Sequence, residues 1–181
     1  MRGFIVEFLL PDGSVLRFSE SALIDEVRVR FPSLVREAGG AYDKLTGAWR
    51  VRVINVTPEI LELAGIFGKD AVEELRRRYS RAVRRVKREA VRRKMLVVDA
   101  PDRVGSRGLQ RRLSELRKYA ALIRGRNSFV IMEDGLQRLL RDYGPKAYAF
   151  VAAVARAYEV KVYGLENLIT VKKGSGEGRS P

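Results

Sequence analysis

The sequence contains no cysteine and no histidine. Disulfides, thiol nucleophiles and thiolate or imidazole metal sites are therefore excluded, and so is serine–histidine catalysis. An enzyme built on this chain would have to work with carboxylates, Lys, Arg, Tyr, Ser or a hard cation held by carboxylates. Long apolar runs are missing too, since nothing approaches the roughly 18 residues of a membrane span. Met1-Arg2-Gly3-Phe4 leads into a strand-like segment without the apolar stretch or cleavage site of a signal peptide. These absences predict a cytoplasmic protein with no membrane partner. Aromatic residues are sparse at 8%, with a single Trp. Negative charge is the scarcer sign, with 22 acidic residues against 36 basic ones and a formal net charge of +14.

What remains is globular in composition: 181 residues, 46% hydrophobic and 32% charged. That length suits one compact domain or two small ones, with enough chain to bury a core unaided. Scarce cysteine combined with high charge also fits a heat-adapted protein. A strong basic excess concerns partners rather than fold, so its location matters most.

Residues 76–94, RRRYSRAVRRVKREAVRRK, hold eleven basic residues and one acidic residue, Glu89, a net charge of +10. Val72, Leu75, Tyr79, Ala82, Val83, Val86 and Ala90 recur at three and four residues and predict one helix with a single apolar stripe. Asp70 with Glu73 has the spacing of a capping box. At about 100° per residue, Arg77, Arg81, Arg84 and Arg88 fall opposite the stripe, with Arg85 and Arg92 beside them. Like charges one turn apart each cost a helix a few tenths of a kcal/mol, a cost that a bound polyanion removes. A solvated face on a heat-adapted protein would usually alternate signs, and this one does not.

The rest of the chain predicts an α+β fold. Phe4–Leu10 and Val15–Phe18 flank the turn Pro11-Asp12-Gly13 as a hairpin. A helix capped by Ser19 or Ser21 runs to about Arg30, is interrupted at Phe31-Pro32, and resumes as far as Gly39-Gly40. Ala41–Leu45 and Ala48–Val56 form a second hairpin around Thr46-Gly47. In its second strand Trp49, Val51 and Val53 share one face, and Arg50, Arg52 and Ile54 share the other. Thr57-Pro58-Glu59 starts a helix that ends near Gly68. Beyond Lys94 the pattern alternates: a strand at Met95–Asp99, a loop at Pro101–Gly108, a helix at Leu109–Arg124 and a strand at Ser128–Met132. Helices at Glu133–Tyr143 and Pro145–Tyr158, a strand at Val160–Tyr163 and a last element at Leu165–Val171 follow. That alternation permits a small parallel or mixed sheet. The predicted organisation is residues 1–94 ending in the basic helix, an α/β part at 95–171, and a Gly/Ser-rich tail at 172–181. Residues 147–158, AYAFVAAVARAY, are apolar nearly all round, which points to burial within the chain or in a homo-oligomer.

Two further groups carry possible chemistry. Strand-borne Trp49 with Arg50 and Arg52 resembles what single-strand binders use to stack bases and neutralise phosphates, although a Trp beside Val51 and Val53 also suits a core. Asp99 and Asp102, with Glu133 and Asp134 after the next strand, could gather around a hard metal ion, as in a nuclease. They could equally punctuate turns and cap helices. The Gly105/Gly108 loop lacks the P-loop pattern, so no nucleotide cofactor is expected.

Residues 4–19, FIVEFLLPDGSVLRFS, the segment GAWRVRVINV and the run RRRYSRAVRRVKR together resemble, in layout and charge, the ThermoDBP group of archaeal single-stranded-DNA-binding proteins. The resemblance covers about the first half of the chain. It implies helices around an antiparallel sheet, a basic cleft for single strands and oligomerisation through the C-terminal part. No long leucine heptad is present there. The expected function is thus non-enzymatic binding of single-stranded DNA or RNA through Arg50, Arg52, Arg77, Arg81, Arg84, Arg85, Arg88 and Arg92, with no catalytic residue and no metal. The alternatives are a metal-dependent nuclease and an assembly protein whose basic helix docks on an acidic partner.

Overall fold

A computed structural model of the chain describes residues 4–21 and 23–169. It divides into two compact units, Met1–Arg84 and Arg85–Pro181. Each combines helices with a four-stranded sheet, so the chain is α+β. The division falls inside the basic helix, where the sequence places a boundary after Lys94. The 172–181 tail lies outside the described residues.

In the first unit Phe4–Leu9 (β1) and Val15–Glu20 (β2) pair as an antiparallel hairpin, and Ala41–Asp43 (β3) and Ala48–Arg52 (β4) form the second. Gly47 turns the second hairpin at φ 72°, a conformation that costs glycine nothing. The hairpins join through a parallel pairing of β1 with β4, in register Val6 with Trp49 and Phe8 with Val51, giving the order β2-β1-β4-β3. Asp25–Glu37 (α1), Pro58–Gly65 (α2) and the first turns of Lys69–Arg92 (α3) cover one face. Val6, Phe8, Leu10, Val51 and Val53 pack there against Phe31, Leu34, Val35, Ile60, Leu63 and Leu75. Trp49 belongs to this side, with its ring 6.0 Å from Phe31 and 5.2 Å from Tyr42. At α2, Thr57 Oγ1 accepts the Ile60 amide at 3.3 Å and Pro58 takes the first helical position, as the sequence predicts.

Three expectations fail in this unit. Neither Ser19 nor Ser21 caps α1: β2 runs on to Glu20, and Ile24 stands at the cap without a side-chain bond. Nor does Phe31-Pro32 interrupt it, since α1 continues through Pro32 to Glu37. An interior proline costs a helix about 3 kcal/mol. Phe31, Leu34 and Val35 are all buried around it, and each contributes about 1.5–3 kcal/mol by burial, which outweighs the cost. Similarly, Asp70 sits inside the first turn of α3, which begins at Lys69.

In the second unit Leu96–Asp99 (β5), Leu122–Gly125 (β6), Ser128–Ile131 (β7) and Lys161–Tyr163 (β8) form a sheet in the order β6-β7-β5-β8. All its pairings are antiparallel, so the parallel or mixed sheet that the sequence permits is not what forms. The reason is β6. The predicted helix to Arg124 stops earlier, as Arg107–Arg117 (α4). The chain then enters β6, where the Ala121 amide bonds the Val130 carbonyl at 2.9 Å. A two-residue turn at Arg126-Asn127 reverses the chain, and only an antiparallel partner follows so short a link. Ile123, expected inward, is exposed. Glu133–Tyr143 (α5) and Ala147–Ala155 (α6), separated by a short 3-10 turn, complete the layer. Leu96, Val98, Phe129 and Ile131 pack beneath Leu113, Leu116, Leu136, Leu139, Val151 and Val154. Ala147, Val151 and Val154 of the apolar α6 are thus buried within the unit.

The end of α3 is closed with care. Lys94 adopts φ 51°, and its amide bonds the Val91 carbonyl while the Met95 amide bonds that of Ala90 at 2.9 Å. This is a Schellman stop with lysine where glycine is usual. The Asn167 amide then donates to the Ala90 and Met95 carbonyls at 3.0 and 2.8 Å. Gly164, at φ 91°, lies so close beneath that any Cβ would meet the Met95 carbonyl.

Candidate nucleic-acid interface

The apolar stripe predicted for α3 is the buried one. Leu75, Ala82, Val86 and Ala90 are buried, and Val72, Tyr79 and Val83 are half-buried. The Tyr79 hydroxyl donates to the Ile54 carbonyl at 2.9 Å, so this ring belongs to the core and its polar end is satisfied. The orientation of the helix follows from that stripe. Arg77, Arg81, Arg84, Arg85, Arg88 and Arg92 are all exposed.

Local carboxylates distinguish these six. Near the start, Glu74 pairs with Arg77 and with Arg78. Near the end, Glu89 accepts two hydrogen bonds from Arg92 at 3.0 and 2.9 Å. The Arg92 hydrogen bonds hold the Glu89 carboxyl below the usual range, and the nearby charges of Arg93 and Arg85 act in the same direction. Between these pairs, Arg81, Arg84 and Arg88 have no ion-pair partner among the described residues. The centre of the helix therefore presents uncompensated positive charge, whereas its ends are partly neutralised.

Arg50 and Arg52 are placed elsewhere. They lie on the sheet face opposite Val51 and Val53, whereas α3 packs on the same side as those valines. Arg50 stands across from Glu7 and reaches both Glu7 and Asp43 at 3.6 Å. It acts as a cross-strand clamp. The first unit therefore does not bring Arg50 and Arg52 together with Arg77, Arg81 and Arg84. Trp49, in turn, is committed to the core side and not to a stacking platform beside Arg50 and Arg52.

The carboxylates of the second unit do not converge either. Asp99, buried at the end of β5, pairs with Arg124 at 3.8 Å and lies in register with Lys161. Asp102 Oδ1 accepts the Arg126 amide at 3.2 Å. Glu133 faces Lys94 at 3.9 Å, and Asp134 is exposed in the first turn of α5. Among the described residues no group of three or more acidic side chains is placed to hold a metal ion. These residues act here as turn and pairing groups.

The sequence reading passed over one basic concentration. From Arg103 to Arg126 there are eight basic residues and one acidic residue, Glu115, a net charge of +7. Outside this segment and residues 76–94 the chain is slightly acidic, with 17 basic and 20 acidic residues. A sliding charge count would have found it. A helix drawn through to Arg124 concealed the hairpin that organises it.

Compared with known proteins, the chain matches no family model, no curated protein and no solved structure.

Proposed function

We propose that this protein is a non-enzymatic binder of nucleic acid, single-stranded DNA or RNA foremost, that grips phosphates with the exposed face of α3. The observation that carries this reading is the trio Arg81, Arg84 and Arg88, exposed on one helix and lacking any carboxylate partner among the described residues. Unpaired like charges on adjacent turns destabilise a free helix and are relieved by a polyanion. The preference for single strands rests on the resemblance, in sequence layout and charge, of residues 4–19, GAWRVRVINV and RRRYSRAVRRVKR to the ThermoDBP group. With Trp49 committed to the core, affinity rests on phosphates, which position a ligand without reading its sequence.

The test is a salt titration of binding to single- and double-stranded DNA and RNA. Each phosphate contact to a single strand contributes about −0.7 to the slope of log K against log salt. Three unpaired arginines supply a slope of roughly −2, and four to six contacts give roughly −3 to −4. Replacing Arg81, Arg84 and Arg88 with Gln makes the slope shallower by about 2 and weakens binding to all sequences alike. Thermal stability holds or rises, because Gln keeps helix propensity and removes repulsion. A triple variant with the parent's affinity and slope would rule out α3 as the site. One that unfolds would show that the face is needed for the protein's own structure.

A further inference from the structure

The second basic segment folds into a corner with fixed geometry. In α4, Ser106 Oγ caps the start by accepting the Leu109 amide at 3.2 Å, and Leu109, Leu113 and Leu116 face the core. At about 100° per residue, Arg107, Arg111 and Lys118 then fall on the opposite side. Lys118 pairs with Glu115, the only acidic residue of the helix, at 3.0 Å. The turn between β6 and β7 is fastened to α4 by a reciprocal amide pair: Gln110 Nε2 donates to Asn127 Oδ1 at 2.8 Å, and Asn127 Nδ2 donates to Gln110 Oε1 at 2.9 Å. Asn127 also binds the carbonyls of Pro101 and Asp102, at 2.9 and 3.2 Å, and is 1% exposed. The Arg126 amide occupies Asp102 Oδ1.

These ties bring three separate stretches together: the loop at 101–103, the first turns of α4, and the hairpin turn. Each carries exposed arginine, namely Arg103, Arg107 with Arg111, and Arg126. None of the four has an ion-pair partner among the described residues. The carboxylates close in sequence are already engaged: Asp99 by Arg124, Asp102 by the turn amide, and Glu115 by Lys118. A buried amide network thus holds in place four guanidinium groups without an ion-pair partner among the described residues, against the single carboxylate of Asp102 in the same corner.

We propose that this corner of the second unit is a separate phosphate-contacting surface for nucleic acid, formed by Arg103, Arg107, Arg111 and Arg126. It rests on the nucleic-acid reading of α3 and adds a second contact to it. Arginine suits the task because its planar fork binds phosphate oxygens in pairs. The Gln110–Asn127 pair serves as the positioning element, since it fixes the backbones from which the arginines project.

The experiment measures binding of the full chain to a labelled single-stranded oligonucleotide across a salt series. It compares the parent, the Arg81/Arg84/Arg88→Gln variant, and a variant with Arg103, Arg107, Arg111 and Arg126 replaced by Gln. Four lost contacts make the slope shallower by about 3 and weaken low-salt binding by at least about tenfold. The same four positions changed to Lys retain most of the slope. If the fourfold Gln variant melts early, Arg107→Gln with Arg111→Gln alone, both on the exposed helix face, still lowers the slope by about 1.4. If the Gln variants of the corner bind like the parent while the α3 variant does not, the proposal is overturned and the α3 reading stands. If the parent does not bind, the α3 reading fails and the proposal with it.

Discussion

The two units solve the same problem by different means. In the first, no polar side chain is buried among the described residues, and the sheet is held under its helices by apolar contact and by aromatic rings set edge-on. Phe4, Phe31 and Trp49 form such a chain, and Phe31 and Phe67 another contact. In the second, Asp99, Asn127, Ser128 and Asn167 are all buried and partnered. Ser128 Oγ both donates to the Ala100 carbonyl and accepts the Ala100 amide. Apolar contact is non-directional and tolerates changes that conserve volume. Buried hydrogen bonds are directional, and each partner left alone carries a full desolvation penalty. The first unit should therefore be sensitive to lost volume and the second to lost polarity.

The sharpest test pairs one residue from each unit. Phe31→Ala is expected to cost about 3–5 kcal/mol, and Phe31→Leu much less, because a core accepts a smaller apolar shape better than a cavity. Asn127→Leu conserves volume yet should cost about 2–3 kcal/mol, since it strands the Pro101 and Asp102 carbonyls and the Gln110 amide. Urea denaturation of the three variants measures this, and an Asn127→Leu protein as stable as the parent would remove the contrast. A smaller effect of opposite sign is expected at Lys94. Glycine there relieves the left-handed conformation and should add about 0.5–1 kcal/mol. The exposed contact to Glu133 that it loses is worth at most a few tenths of a kcal/mol. A denaturation midpoint that does not rise would show that lysine is unstrained.

The smallest effect at neutral pH concerns Tyr119, whose hydroxyl donates to Asp142 at 2.6 Å. That hydrogen bond, with desolvation and the Asp142 charge, pushes the phenol up to about 12 from its ordinary 10. The folded state thus holds the proton more tightly than the unfolded chain. The resulting stability is fully present below pH about 10 and is lost as pH rises toward about 12. A tyrosinate absorbance titration checks it: Tyr119→Phe should remove a phenol that titrates near 12 and weaken the dependence of stability on alkaline pH.

The same contrast explains what could be read from the sequence. The alternation of Val6, Phe8 and Leu10, and of Val51 with Val53, exposes the core face of the first sheet, and the spacing from Leu75 to Ala90 orients α3. Each is a periodic apolar signal that packing reinforces. The parallel joining of β1 to β4 is not written in either strand, because it depends on where α1 returns the chain. In the second unit the spacing of Leu109, Leu113, Leu116, Ala120 and Ile123 continues past the helix into β6. There the deciding interactions are the Val130 carbonyl and the Asn127 side chain, both distant in sequence from α4. At the candidate site, exposure of Arg81, Arg84 and Arg88 was legible from helical phase alone. That Glu7 and Asp43 engage Arg50 required the strand register, which a linear pattern does not contain.

The amide bonds from Asn167 also have a temporal meaning. Asn167 lies 77 residues after Ala90, to whose carbonyl it donates. During synthesis at about 5–20 residues per second, the final turn of α3 waits roughly 4–15 s for the side chain that secures it. Until then the last carbonyls of that helix lack the Asn167 amide as a partner. A nascent chain therefore exposes its most basic segment, incompletely fastened, before the rest of its own second sheet exists.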